Sequence, residues 1–483
     1  MRNRNTSSIQ MNFIMNFILT GSRFLFPLIT FPYVSRVLLS EGNGKIAFAA
    51  SAAGYFSMIA ALGIPTYGIR VCAQVKDDKD ELSRTVQELF LIHFIMTAIA
   101  LACFILCIWI IPEFYEEKSL FLVEAAGILL SVFGMEWLFQ ALEQYSYITI
   151  RSLVFKILSV ILMFLCVHQE SDYVKYSAIS VFSVAGSNLF NVTQIRKYVS
   201  IKKYDHLQLK KHLKPVLILF SQSMVISVYT NLDTVMLGFM REDSQVGYYN
   251  AAVKLKGILT SLVSSLSSVL LPRMSYYYKQ EKIKEYKELA LKALNFTIFI
   301  SVPLSMYFSF YASDCLEFLA GKAFLPATAA MRFIVIAVVP IGITGVLGIQ
   351  VLISEGKEKY VLYSVIGGAV TDCILNFLWI PGYGATGAAL ATAVAECVVL
   401  LMQCIFTRKL LKELKSEIHI KRYILAGIVA LLVSRTVIFA EDAGCFVRLM
   451  ISAVIFGVIY VVSLLIIRDE FIGYVLGRKI KRE

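Results

Sequence analysis

The residues of this sequence best suited to chemistry are a few charged side chains inside long apolar stretches. Arg23 lies in the first stretch, Asp233 in the seventh, and Lys254 and Lys256 in the eighth. Ionisable groups are costly in apolar surroundings, so we take them as candidates for a functional site. Arginine and lysine donate several hydrogen bonds and carry positive charge, which predicts that the site binds an anion such as phosphate.

Polar residues follow Arg23 along one face of its stretch. Asn16, Thr20, Arg23 and Thr30 recur at helical spacing, so they form a stripe that faces protein or water. Arg23 either binds an anion in a central cavity or pairs with a buried carboxylate. Arg36 lies near the outer end of the stretch, where it either joins the site or extends to the outer headgroups.

A second polar stripe runs through the seventh stretch, where Thr230 and Asp233 follow Ser227. Asp233 either couples to a proton or cation, or neutralises an arginine of the first stretch, and we favour neutralisation. In the eighth stretch Lys254 and Lys256 leave a helix about 200° apart, so only one of them faces a given cavity. Both remain candidates for the binding of substrate, together with Asn16, Arg23, Arg36, Thr230 and Asp233.

The elements that position these residues are roughly fourteen apolar stretches, each of a length that crosses a bilayer as a helix. We place them near residues 12–37, 45–71, 85–110, 121–141, 151–168, 175–195, 215–240, 247–272, 288–312, 327–353, 359–380, 385–407, 422–440 and 447–468. Backbone groups in lipid must pair within the segment, so the fold class predicted is an all-α integral membrane protein.

The basic residues show how the stretches are oriented. Roughly 33 of the 46 lysines and arginines lie in every second gap, and the gaps between them hold about three. This alternation predicts that both termini lie in the cytoplasm. The net charge of +12 therefore reflects the inner face and its anionic lipids, and it does not indicate nucleic-acid binding.

A repeat divides the chain after the sixth stretch. Gly44, Gly54 and Arg70 recur as Gly247, Gly257 and Arg273, each 203 residues later. The offset matches the six-helix step, although chance recurrence of common membrane residues is the alternative. We predict two parallel six-helix lobes related by a pseudo-twofold axis along the membrane normal. The predicted domains are 1–200, 201–410 and a region 411–483 with two further helices and a basic tail.

Several classes of protein are disfavoured. The chain has no GxxxxGK[ST] motif and no cysteine spacing for a metal, so we predict no cofactor and no metal, with H+ or Na+ coupling left open. All outer gaps are short, which disfavours a membrane-embedded sugar polymerase, an enzyme that needs an outer loop with paired acids. The tail 471–483 is typical of an interfacial helix on anionic lipid.

Two groups of motifs resemble one known family. The segments FPYVSRVLLSEGNGKIAFA (31–49) and GIPTYGIR (63–70) resemble the opening of bacterial polysaccharide transporters. NLDTVMLG (231–238), VGYYNAAVKLKGI (246–258) and VLLPRMS (269–275) resemble the start of their second half. These are the Wzx-type lipid-linked oligosaccharide flippases of the multidrug/oligosaccharidyl-lipid/polysaccharide (MOP) exporter superfamily.

The resemblance implies a flippase, and no enzyme, that moves undecaprenyl-diphosphate-linked oligosaccharide to the outer leaflet for surface polysaccharide such as O-antigen, capsule or exopolysaccharide. It also implies contact with the polysaccharide polymerase machinery. Related lipid II flippases line a cationic cavity with their first, second, seventh and eighth helices, and Arg23, Lys254 and Lys256 fit such positions. The uncharged run from Ser51 to Gly63 departs from that pattern and favours the polysaccharide branch. The alternative, a multidrug/cation antiporter, would need central carboxylates.

The charge alternation makes a prediction about topology. In a cysteine-free background, single cysteines at 169–174 and 441–446 should react with an impermeant maleimide added outside intact cells. Cysteines at 196–214 should react only after the membrane is opened, because that basic gap is assigned to the cytoplasm. Labelling of 196–214 from outside would contradict both the topology and the division of the chain there.

Overall fold

The computed structural model describes residues 9–200, 202, 204, 207–264, 267–436 and 444–469, and every regular element within them is helical. The α-helices are α1 Ile9–Ala61, α2 Ile64–Gln74, α3 Lys79–Ile110, α4 Pro112–Glu116, α5 Lys118–Ser131, α6 Glu136–Ala141, α7 Tyr145–Cys166, α8 Tyr173–Val181, α9 Ser187–Ile195, α10 Leu209–Met240, α11 Asp243–Ser264, α12 Ser267–Lys279, α13 Ile283–Phe310, α14 Ala312–Ala320, α15 Thr328–Ile336, α16 Val338–Thr344, α17 Glu358–Phe406, α18 Arg408–Leu414, α19 Ile420–Ser434 and α20 Cys445–Ile466. Short 3-10 helices occupy Glu170–Asp172, Lys322–Ala327 and Lys415–Glu417, and π-helical segments occupy Phe182–Gly186 and Gly345–Ile353.

Eight helical stretches of the described chain are long and apolar enough to cross a membrane, and the bent helix α10 adds a ninth. Two of the eight, of 65 and 49 residues, are much longer than the roughly 20 residues that one crossing needs, and each contains two predicted spans. The chain is therefore a multi-pass membrane protein. The count of fourteen spans stays a prediction, and the tail 471–483 lies outside the described residues.

Positive backbone φ angles mark the breaks inside these long stretches. α1 leaves helical geometry at Leu39 (φ 51°), and α17 does so at Gly384 (φ 53°). A third break, at Leu62 and Gly63, separates α1 from α2. Glycine suits this break because it adopts φ 73° without strain, and because a Cβ atom on Gly63 would lie 2.7 Å from the backbone nitrogen of Phe220 in α10. The predicted span 45–71 is thus two helices joined at a glycine.

The chain divides into two compact units, a first unit of Met1–Gly247 and a second unit of Tyr248–Glu483. The first unit has a buried cluster in which Leu89 of α3, Trp137 of α6 and Val216 of α10 take part. The second unit has a buried cluster that joins α12 and α13 to the π-helical segment Gly345–Ile353. The predicted lobe limits and the pseudo-twofold arrangement of whole lobes stay predictions.

Within the first unit, two glycines bring the part of α1 after Leu39 against the start of α11. A Cβ atom on Gly44 would lie 1.7 Å from the carbonyl oxygen of Asp243, and one on Gly247 would lie 2.0 Å from that of Ser40. At an offset of 203 residues, Gly44 corresponds to Gly247 and Ser40 corresponds to Asp243, so the two contacts involve equivalent pairs of positions. The repeat itself stays a prediction.

This close approach predicts a difference between two glycines of the same repeat. Gly44→Ala should destabilise the protein by about 1–3 kcal/mol, because the new methyl group meets a backbone carbonyl that cannot move aside. Gly54→Ala is the matched control, because a Cβ atom there meets nothing within 4 Å. The measurement is the thermal unfolding midpoint of each purified variant in detergent. Equal midpoints for the two variants would contradict the reciprocal contact.

Candidate functional site

The seventh predicted span is the helix α10, which bends by 45° between Leu209–Val225 and Ser227–Met240. At the bend, the Thr230 hydroxyl and the Asn231 amide both donate to the Ser227 carbonyl, at 3.2 and 3.1 Å. The Tyr55 hydroxyl donates to the Val228 carbonyl at 3.5 Å. A bend disturbs the backbone hydrogen bonds within a helix, and these side chains donate to carbonyls beside the bend. Discontinuous helices are where transporters commonly place a binding site.

The structure places the predicted residues of the first and seventh spans in the first unit. Asp233 is buried at 4% exposure, one to two turns beyond the bend, whereas Thr230 and Asn16 are exposed. The exposed Arg36 guanidinium donates to the carbonyl of Pro32 at 2.6 Å. The backbone of Arg23 is helical, and its side chain lies outside the part that the structure describes. Of the predicted set, Thr230 and Asp233 thus share one segment of α10.

Lys254 and Lys256 lie on the part of α11 that belongs to the second unit. Both are half-buried, and Leu255 between them is buried. Helical geometry directs them to faces about 200° apart, as their spacing in the sequence predicts. The convergence of either lysine with residues of the first unit on one cavity stays a prediction.

Glu136 takes part in a polar cluster that joins helices of the first unit. The Arg151 guanidinium of α7 lies 3.6 Å from the Glu136 carboxylate of α6, and it also donates to the side chain of Asn191 in α9. The Gln140 amide donates to the same carboxylate at 3.1 Å. The cluster holds three helices of the first unit together, so its polar groups are structural.

Sequence reasoning missed a buried carboxylate in the first third of α3. The Glu88 side chain is fully buried and accepts from His212 at 2.8 Å, from Lys211 at 3.0 Å and from Arg84 at 3.2 Å. Two of these three donors lie on α10, and the Gln208 backbone nitrogen just before it donates at 2.7 Å. The available signal was an acidic residue within an apolar run, close to a basic gap. Glu88 fixes the N-terminal end of the bent helix α10.

The second ring nitrogen of His212 contacts α2. The Tyr67 hydroxyl lies 2.9 Å from Nδ1 of His212, whose ring is fully buried. The contact continues the chain of side chains from α3 through α10 to α2. Within the described residues, no group of three His, Cys, Asp or Glu is placed to hold a metal.

This cluster generates a prediction about stability. Glu88→Gln should lower the free energy of unfolding by about 2 kcal/mol, because the basic side chains around it lose their anionic acceptor. The loss is limited because Lys211 and Arg84 are partly solvated. Glu81→Gln, on the exposed face of the same helix, is the control and should change it by less than about 0.5 kcal/mol. Thermal unfolding in detergent measures both. A Glu88→Gln protein as stable as the control would contradict the proposed role in fixing α10.

Comparison with known proteins agrees with the motifs. Residues 9–278, more than half of the chain, match the family model described as Polysaccharide biosynthesis protein, and residues 219–378 match the model described as MatE. A "Putative O-antigen transporter" of Shigella dysenteriae is 25% identical over 392 residues, which cover 81% of this chain and 98% of that protein.

Two solved structures are similar in fold. "Lipid II flippase MurJ, inward closed conformation" superposes with a TM-score of 0.63 at 17% identity, over 92% of this chain and 99% of that chain. An inward-facing multidrug resistance MATE family transporter of the MOP superfamily superposes with a TM-score of 0.58 at 10% identity, over 80% and 98%. Identities this low show the fold alone. The family match over more than half of its length shows that the chain belongs to the polysaccharide biosynthesis protein family, as its motifs predicted.

Proposed function

We propose that the protein is a flippase that moves undecaprenyl-diphosphate-linked oligosaccharide repeat units from the cytoplasmic to the outer leaflet by alternating access. The cargo supplies surface polysaccharide such as O-antigen, capsule or exopolysaccharide. The observation that carries this proposal is the family match, together with a relative named as an O-antigen transporter that aligns over 98% of its own length. The relative's name also supports transport over catalysis.

The chemistry of such a cargo fits the charged residues. A lipid diphosphate carries roughly two negative charges, which the hydrocarbon core excludes without a polar path. Arg23, Arg36, Lys254 and Lys256 would offer donors for the phosphate oxygens in a water-filled cavity. Asn16 and Thr230 would add neutral donors. Asp233 would neutralise a cation when the cavity is empty.

The proposal extends to the setting of the protein. It resides in the bacterial cytoplasmic membrane with both termini in the cytoplasm, in contact with anionic lipids and with the polysaccharide polymerase machinery. It binds no cofactor, and it draws on an H+ or Na+ gradient or on consumption of the product outside. The bend in α10 lies among polar groups, which supports a moving element near the cavity.

A cation antiporter is the alternative that the MatE match raises. An antiporter for cationic substrates needs carboxylates at its centre, because substrate and site must attract each other. Among the predicted site residues, four carry a positive charge and only Asp233 carries a negative one. The charge balance therefore favours an anionic cargo.

The test is deletion of the gene, followed by analysis of the lipids that accumulate. We expect a polyprenyl-diphosphate-linked oligosaccharide to build up in the cytoplasmic leaflet, where an impermeant periodate reagent added outside intact cells does not oxidise it. Plasmid-borne protein should restore its exposure. A deletion strain whose lipid-linked glycans reach the outer leaflet at the normal rate would contradict the proposal.

A prediction on the site follows. Arg23→Ala should abolish complementation while the protein still reaches the membrane, because the forked donor for phosphate is lost. Arg23→Lys should restore only part, since it keeps the charge but not the paired donors. Asp233→Ala should impair complementation less than Arg23→Ala. Normal complementation by Arg23→Ala at equal protein levels would leave Arg23 without a role in binding.

A further inference from the structure

Besides the polar groups at the bend of α10, the first unit contains a polar cavity of about 290 Å³ between α1, α7 and the sixth span. The part of the sixth span that lines the cavity consists of α8 and the π-helical segment Phe182–Gly186. Six hydroxyl groups and one amine line the cavity: Ser22, Thr30, Ser159, Tyr176, Ser180, Ser183 and Lys156. Among the described residues that line the cavity, Lys156 is the one that carries a charge.

Lys156 lies too deep in the membrane to be a headgroup anchor. It is near the middle of α7, which runs from Tyr145 to Cys166. At 1.5 Å per residue, its backbone is about 15 Å from either end of the helix. Lysines that extend to headgroups lie near the ends of spans, so the position of Lys156 indicates a different role.

The contacts of Lys156 orient its amine into the cavity. The ammonium donates to the Ser22 hydroxyl at 2.8 Å, and that hydroxyl donates to the carbonyl of Leu19 at 2.6 Å. The Ser22 proton is thereby committed, so its oxygen faces the lysine as an acceptor. The ammonium also lies 5.5 Å from the centre of the Phe26 ring, a favourable cation–π contact.

The opposite wall carries a local irregularity of the helix. Ser183 lies in the π-helical segment, and Ser180 lies one turn before it. Tyr176 and Ser180 line the cavity from this side and Thr30 from α1, so both walls present hydroxyl groups. A π-helical turn widens a helix locally and is frequent at functional sites. A central cation, a wall of hydroxyls and a widened helix therefore coincide in one cavity.

We propose that this cavity binds one acidic sugar of the translocated glycan. The carboxylate or phosphate of the sugar lies on the Lys156 ammonium, and the serine, threonine and tyrosine hydroxyls pair with the sugar hydroxyls. The inference rests on the proposed function for the nature of the cargo, and it adds that the glycan is anionic beyond its diphosphate. A phospholipid headgroup is the other source of an oxyanion, and the depth of Lys156 argues against it.

The transport arm of the test uses the full-length protein in liposomes. Two undecaprenyl-diphosphate disaccharides differ only in their outer sugar, glucose or glucuronic acid, and their exposure at the far leaflet is measured over time. We expect Lys156→Met to slow the acidic lipid at least about tenfold, because one charge-assisted hydrogen bond is lost. The neutral lipid should move at the normal rate, and Lys156→Arg should keep most of the acidic rate.

Lys175→Met is the matched control, because Lys175 is an exposed lysine of α8 that does not line the cavity. It should leave both rates unchanged. Thermal unfolding in detergent checks that the Lys156 variants are folded. Slowing of both lipids alike by a folded Lys156→Met protein would assign Lys156 to the diphosphate or to structure and overturn the inference, as would unchanged rates.

A binding arm separates this inference from the proposed function. Saturation-transfer NMR of the detergent-solubilised protein compares methyl glucuronide, glucose 6-phosphate and methyl glucoside, with phosphatidylglycerol as competitor. We expect the two anionic sugars to bind, and the signal to fall in Lys156→Met. If wild type moves neither lipid but binds anionic sugars through Lys156, the proposed function fails and the ligand class stands. Lys156-dependent binding of phosphatidylglycerol with no preference among the sugars would overturn the inference.

Discussion

The hydrocarbon core of the bilayer offers no hydrogen-bonding partner, and the rest of this structure follows from that constraint. Backbone groups must pair within their own segment, which is why the regular elements of the described chain are helices. Where a helix breaks or bends, another group must compensate. At the bend of α10, the Tyr55 hydroxyl and the side chains of Thr230 and Asn231 donate to nearby carbonyls. Irregular backbone is therefore found beside polar side chains.

Close packing of helices is the second consequence, because lipid does not drive helices together as water does. Small residues let backbones approach, and Gly44, Gly63 and Gly247 each allow a contact that a methyl group would block. The contacts of Gly44 with Asp243 and of Gly247 with Ser40 exchange under the offset of the repeat. Both glycines of the predicted repeat thus permit the same kind of close backbone approach.

Three charged groups of the first unit illustrate two different roles. Glu88 and Arg151 are enclosed by partners on neighbouring helices, and their cost is offset by charge-assisted hydrogen bonds that position α10 and α7. Lys156 instead faces a cavity lined by hydroxyls. Packing of the helices explains Glu88 and Arg151. Lys156 has space for a ligand beside it, so we treat it as a candidate site residue.

The sequence by itself determined the fold class, the membrane setting and the family. Apolar length and short motifs are local properties of the chain, and FPYVSRVLLSEGNGKIAFA carries the resemblance without any knowledge of contacts. The role of each charge is different, because it depends on partners that are distant along the chain. Glu88 meets His212 across 124 residues, and Lys156 meets Ser22 across 134. Only the tertiary structure shows that the Glu88–His212 pair joins two helices and that the Lys156–Ser22 pair lines a cavity.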